Sequence, residues 1–184
     1  DLNGQSHTLF DYLDEGKYVC VDFFAYWCGP CASLADDFSA NFNMYGCNSG
    51  DVVFLAIEYE GTEQQVLDFE NQNAGANPAP AASGTSGGGG PVHAAYGIQA
   101  YPTFILIDPS GAIVEQDIWP MDQNILDTTL SGYGLNHVDC ANEIDEAVVE
   151  YSVYPVPASD IVNVQLTETG ASIELINLLG ATVV

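Results

Sequence analysis

Residues 18–43 read YVCVDFFAYWCGPCASLADDFSANFN. The first eight are β-branched, aromatic or small, with Asp22 the one charged residue among them. An unbroken apolar run of that length suits a central strand buried on both faces. After WCGPC the period changes. Leu34, Phe38 and Phe42 recur every fourth residue with Ala35 on the same side, which is the apolar stripe of an amphipathic helix. Pro30 falls in the first turn, where a missing N–H costs nothing. Cys28-Gly29-Pro30-Cys31 therefore lies between the end of a strand and the start of a helix.

That placement has chemical consequences. The first turn of a helix has unpaired N–H groups and the positive end of the dipole, and both favour a thiolate. Cys28 is expected at the mouth as the exposed nucleophile. Cys31, one turn in, is expected to be more buried and to resolve a mixed disulfide. The competing account is half of a zinc site, but structural zinc takes four N or S ligands. No second CxxC or His pair is present, and Cys47, Cys140, His7, His93 and His137 stand alone in sequence. No metal or cofactor is expected, and the three histidines read as surface or loop residues. An Asp inside an apolar strand is costly unless paired, hydrogen-bonded or protonated. Burial raises its pKa, which suits a proton carrier; the other reading of Asp22 is a solvated strand-end carboxylate.

Working outward, Asn3-Gly4 is a hairpin turn signal, and Leu9–Leu13 reads as a helical turn stopping at Gly16. Residues 51–57, DVVFLAI, form a second buried strand. Thr62 with Gln65 resembles a capping box, opening a helix with Val66, Leu67 and Phe69 on its apolar face. Residues 73–91 are rich in Gly, Ala, Pro and Ser and read as a flexible surface insert, outside the core. Their four consecutive glycines lack the pattern and the Lys of a phosphate loop. TFILI (103–107) is a strand, Asp108–Gly111 a turn, and AIVEQDI (112–118) its antiparallel return. Asp122 caps a last helix ending at Gly132. The alternation implies an α/β fold, a parallel core with helices on both faces and an antiparallel hairpin at one edge. From 133 the chain turns into an acidic linker to 150. Residues 151–184 hold two strand-like runs, the start of a small β-domain.

Charge excludes several classes of function. Lys17 stands alone against 26 acidic residues, for a formal charge of -25. Such a chain cannot neutralise phosphates, so nucleic acid is excluded as a partner, and anionic membrane surfaces repel it. No apolar stretch reaches the roughly 18 residues of a membrane span. Self-repulsion strains a compact state and salt relieves it, which fits a saline extracellular setting; a merely acidic secreted protein is the alternative. The first residue is not Met and no basic-then-apolar leader follows, read as a removed signal peptide or a fragment. Of five cysteines, Cys20 lies in the buried strand as a small apolar residue. Cys47 and Cys140 could pair as a structural disulfide in an oxidising compartment; separate thiols, or a partner outside this segment, are the alternatives.

DFFAYWCGPC (22–31) resembles the active-site segment of thioredoxins, and YPTFILIDPSG (101–111) resembles the strand that follows their cis-proline. DLNGQSHTLFDYLDEGKYV (1–19) is similar to the secreted or membrane-anchored reductases of the TlpA or redoxin group. The likeness spans residues 1–131 and implies a thioredoxin-like fold, a mixed central sheet flanked by helices. It implies Cys28 as attacking thiol and Cys31 as resolving thiol, with Trp27, Gly29 and Pro30 flanking the site. It also implies a cis Pro102 that sets the Tyr101 backbone against the pair to hold a substrate strand, with Thr103 following. Asp22 matches the buried acid that relays protons to the resolving Cys. VVFLAIEYE (52–60) departs from the pattern, with no Lys where thioredoxins often place one. Protein thiols and disulfides are the implied substrates, and the sequence names no redox donor or acceptor. The runner-up function is a secreted interaction module using the fold as a scaffold. A thiol peroxidase is disfavoured because the chain has no Arg.

YPVPASDIVNVQL (154–166) and ASIELINLLGATVV (171–184) resemble the type A sorting domain of the type IX secretion system. Val156 replaces the usual Asn, while Asn177-Leu178-Leu179-Gly180 fits. The resemblance implies contact with that secretion machinery and a secreted or cell-surface location in a Gram-negative bacterium.

Overall fold

The computed structural model of the chain describes residues 1–140, 151–154 and 163–166. The first of two compact units spans Asp1–Ala141. Its elements are α1 (Leu9–Asp14), β1 (Tyr18–Phe24), α2 (Gly29–Met44), β2 (Val52–Glu58) and α3 (Glu63–Asn73), then β3 (Ala81–Ala82), α4 (Gly89–Tyr96), β4 (Thr103–Ile107), β5 (Ile113–Glu115) and α5 (Gln123–Gly132). The sheet order is β3-β2-β1-β4-β5. β1 pairs parallel with β2 and antiparallel with β4, β2 pairs parallel with β3, and β4 pairs antiparallel with β5.

β1 is central because it is apolar on both faces. Val19, Val21 and Phe23 join Val53, Leu55, Ile105 and Ile107 against α1 and α4. Cys20 faces the other way with Phe54, Phe104 and Leu106, under Phe38 and Phe42 of α2 and Leu126 and Leu130 of α5. Phe24 continues that second face toward Val66 and Phe69 of α3. Of the residues expected to line α3, Leu67 instead points to solvent. The caps are as the sequence suggests. Thr62 and Gln65 form a reciprocal capping box, and the Asp122 side chain accepts from the Ile125 N–H at 2.8 Å.

Three local expectations are corrected. Asn3-Gly4 makes a turn with Gly4 at φ +77, but no strand precedes it, so there is no hairpin. The parallel core is only three strands wide, since β4 joins β1 directly in the antiparallel sense. Residues 73–91 are not outside the core: Ala79, Ala81 and Ser83 are buried, β3 is an edge strand, and α4 begins at Gly89. The glycines there serve close approach. A Cβ on Gly89 would lie 2.0 Å from the Glu58 carbonyl oxygen, and one on Gly84 2.3 Å from the Tyr59 backbone. Gly-rich composition marks tight backbone packing as readily as looseness.

Lys17 pairs with Glu15 at 3.1 Å just before β1. Cys47 and Cys140 form a disulfide with Cα atoms 4.9 Å apart. It fastens the segment after α5 to the end of α2, where Tyr45 bridges to Val138. The second compact unit, Asn142–Val184, contains an antiparallel pair. Its strands are β6 (Tyr151–Tyr154) and β7 (Asn163–Leu166). Among the described residues no helix is long and apolar enough to cross a membrane. Most of the linker's acidic run, Val156 and Asn177–Gly180 lie outside the described residues.

Candidate active site

The site is built where β1 ends and α2 begins. Cys28 is the N-cap of α2, and its Sγ accepts the Cys31 backbone N–H at 3.1 Å. A sulfur held there meets the unpaired amides and the dipole of the first turn, the environment that stabilises a thiolate. Cys28 and Cys31 form a disulfide with Cα atoms 5.2 Å apart. Cys28 is 6% exposed and Cys31 2%. Cys28, expected to be exposed, is instead buried, because it packs into the cluster of Phe24, Ala25 and Tyr101. Gly29 and Pro30 are exposed on the first turn, and nothing lies within 4 Å of a Cβ built on Gly29.

Asp22 lies on β1, the strand that leads into this turn. It is buried, and its Oδ1 has no hydrogen-bond partner among the described residues. Its strand neighbour across the β1–β2 ladder is Ala56, so no cation faces it. Burial alone pushes its pKa up to about 8. Cys20, on the same face of β1, is fully buried and free, and burial pushes its thiol far above the usual range.

Aromatic rings form the rim. Trp27 is 55% exposed, its Nε1 donates to Glu60 at 3.0 Å, and its ring meets Tyr101 edge-on at 6.0 Å. Tyr101 also neighbours Tyr59 at 5.5 Å. The Tyr101–Pro102 peptide bond is cis. Thr103 Oγ1 donates to the Ala100 carbonyl at 2.9 Å, closing the turn before β4.

Two buried residues behind the rim escaped the sequence reading. His93 is 2% exposed rather than on the surface. Its Nε2 donates to the Ile57 carbonyl at 2.8 Å, its Nδ1 is buried without a partner among the described residues, and its ring packs on Phe23, Tyr59 and Tyr101. Burial holds its pKa below the ordinary value. The i, i+4 pair Val92 and Tyr96 was the signal that this stretch is a packed helix. Glu58, fully buried at the end of β2, accepts backbone N–H groups from Tyr26, Gly61 and Gly84. It ties the active-site loop to the Gly-rich segment. An acid ending an otherwise apolar strand was its only mark in the sequence.

Comparison with known proteins decides the family. A family profile described as thioredoxin-like matches residues 16–113. The chain belongs to the thioredoxin-like family. A thioredoxin from Chlorobaculum thiosulfatiphilum is 30% identical over 117 residues, covering 63% of this chain and 79% of that protein. The thiol-disulfide oxidoreductase ResA of Bacillus thuringiensis is 30% identical over 118 residues, covering 64% of this chain; the chain spans 63% of that relative's length. Among solved structures, the thioredoxin domain of a thiol-disulfide oxidoreductase from Bacteroides vulgatus superposes with a TM-score of 0.58 at 23% identity, covering 74% of this chain and 90% of that one. This likeness confirms the mixed-sheet thioredoxin fold. A second profile, described as a secretion system C-terminal sorting domain, matches residues 152–184. That tail places this thioredoxin-like protein outside the cell or at its surface, as the C-terminal motifs implied.

Proposed function

We propose that this thioredoxin-like protein exchanges dithiols and disulfides on exported proteins through Cys28 and Cys31. The observation that carries the reading is the Cys28 sulfur capping the α2 N-terminus, in a disulfide with Cys31, with the buried acid Asp22 on the strand that leads into it. The names of the ResA and thioredoxin relatives support it.

In the reducing direction the Cys28 thiolate attacks a substrate disulfide, forming an S–S bond and expelling one substrate thiolate. Asp22 takes the Cys31 proton. The Cys31 thiolate then attacks Cys28 Sγ, closing the enzyme disulfide and releasing the second substrate thiolate. Two electrons pass from the enzyme dithiol to the substrate, and the oxidising direction is the reverse. Trp27, Tyr101, Thr103 and the Gly29-Pro30 turn form the surface on which a substrate chain lies. The sorting domain supports exported proteins as the substrate class.

Equilibration of the full chain with glutathione buffers, read by mass spectrometry, tests this. A potential near about -270 mV makes the protein a reductant, and one near about -120 mV an oxidant. A pair that never cycles would overturn the reading in favour of a non-catalytic scaffold.

A further inference from the structure

Asp22 is buried, yet the exchange reading requires it to gain and lose a proton each cycle. The route to solvent is not through a lysine on β2, because Ala56 faces Asp22 there. A cavity of about 20 Å³ lies beside Asp22, lined also by Ala35, Ser39, Ala56, Phe69 and Glu70. Ala35 is one turn past Cys31 on α2, so the cavity meets that helix one turn beyond the cysteine pair. That volume suffices for one water. A second groove, of about 610 Å³, lies along α3, and Glu70 lines that as well. Glu70 is thus the one carboxylate that lines both the small cavity and the groove.

We propose that Glu70 is the proton relay between Asp22 and solvent, a role that rests on the exchange reading above. When the enzyme disulfide closes, the Cys31 proton passes to Asp22, from Asp22 across the cavity to the Glu70 carboxylate, and from Glu70 into the groove. One proton leaves per turnover, and it enters by the same path when the disulfide is reduced. The titratable lining of the cavity is Asp22 and Glu70, with the Ser39 hydroxyl from α2 and none from β2. Cys20 neighbours Asp22 along β1, and Glu63 of α3 shares the groove with Glu70. Burial lifts Glu70 to about 7, one step below Asp22 at about 8. Both groups therefore change protonation near neutral pH.

The test is stopped-flow oxidation of the reduced full chain by a disulfide-bonded peptide, following disulfide closure and proton release together. Glu70→Gln should slow closure about tenfold near pH 7.5, less than the ~10²-fold of a direct proton carrier. Glu70→Asp should recover much of the rate, and the reduction potential should not move in either variant. Carbon-detected NMR titration of the wild-type carboxyls needs no variant: Asp22 and Glu70 should titrate together between about pH 6 and 9. An unchanged rate in Glu70→Gln, or Glu70 titrating near the ordinary Glu value of about 4.3, overturns the relay while exchange stands. A wild-type protein that exchanges nothing overturns the exchange reading, and the relay with it.

Discussion

The two ends of α2 each hold a disulfide, and the two bonds have little in common. Cys28–Cys31 joins residues three apart at the N-terminus, and Cys47–Cys140 joins residues 93 apart beyond the C-terminus. Exposure ranks them against intuition, since the pair proposed to exchange is buried and the distal pair half-buried. Electrostatics and chain entropy separate them. At the N-terminus the sulfur accepts a backbone N–H. Past the C-terminus the Cys140 sulfur lies 3.4 Å from the Asn43 carbonyl oxygen, where the dipole disfavours a thiolate. Opening the short loop frees almost no chain. Opening a 93-residue loop loosens the unfolded state by about 4–5 kcal/mol in the chain-entropy picture. On the exchange reading, the same bond on the same helix is reactive at one end and a fastener at the other.

The largest effect expected is on activity. Cys28→Ser should abolish exchange, and Cys31→Ser should trap mixed disulfides detectable by mass spectrometry. Normal turnover in Cys28→Ser would break the comparison at its reactive end. Next, the double change Cys47→Ser with Cys140→Ser should lower unfolding stability by about 4 kcal/mol in urea while leaving the exchange rate intact. Graded dithiothreitol should open Cys28–Cys31 first, and the reverse order would sink the assignment of roles.

Asp22→Asn should slow exchange yet stabilise the fold. With a folded pKa of about 8 against about 3.9 unfolded, both states are protonated below pH 4 and the acid costs nothing. Between about pH 4 and 8 the unfolded chain releases a proton that the folded one keeps, so wild-type stability falls as pH rises. The variant should gain on the order of 4 kcal/mol at pH 7, shrinking to nearly nothing near pH 4. Thr62→Ala, which removes the α3 cap, should cost about 1 kcal/mol in thermal unfolding and touch neither disulfide. It sets the scale of an ordinary local loss.

What was legible in the sequence was what is local. The strand ending at Phe24, the stripe of Leu34, Phe38 and Phe42, the Thr62 capping box and the spacing of Cys28 and Cys31 are each written within a few residues. Asp22 was legible because an acid in an apolar run needs a reason. His93, Glu58 and Glu70 were not, since their significance depends on what packs beside them from distant parts of the chain. Composition misled over 73–91 for the same reason. Gly84 and Gly89 are fixed by contact with Tyr59 and Glu58, which no window on the sequence contains.

The ion pair of Lys17 with Glu15 ahead of β1 has a consequence for survival outside the cell. Proteases of the trypsin type cut after a cationic side chain held in an acidic specificity pocket. Across these 184 residues that leaves a single bond, Lys17–Tyr18. Its Tyr18 side opens the central strand, with its N–H donated to the Asp51 carbonyl at 2.9 Å. The folded chain offers such enzymes one cut site, locked at the start of the central strand of its own sheet.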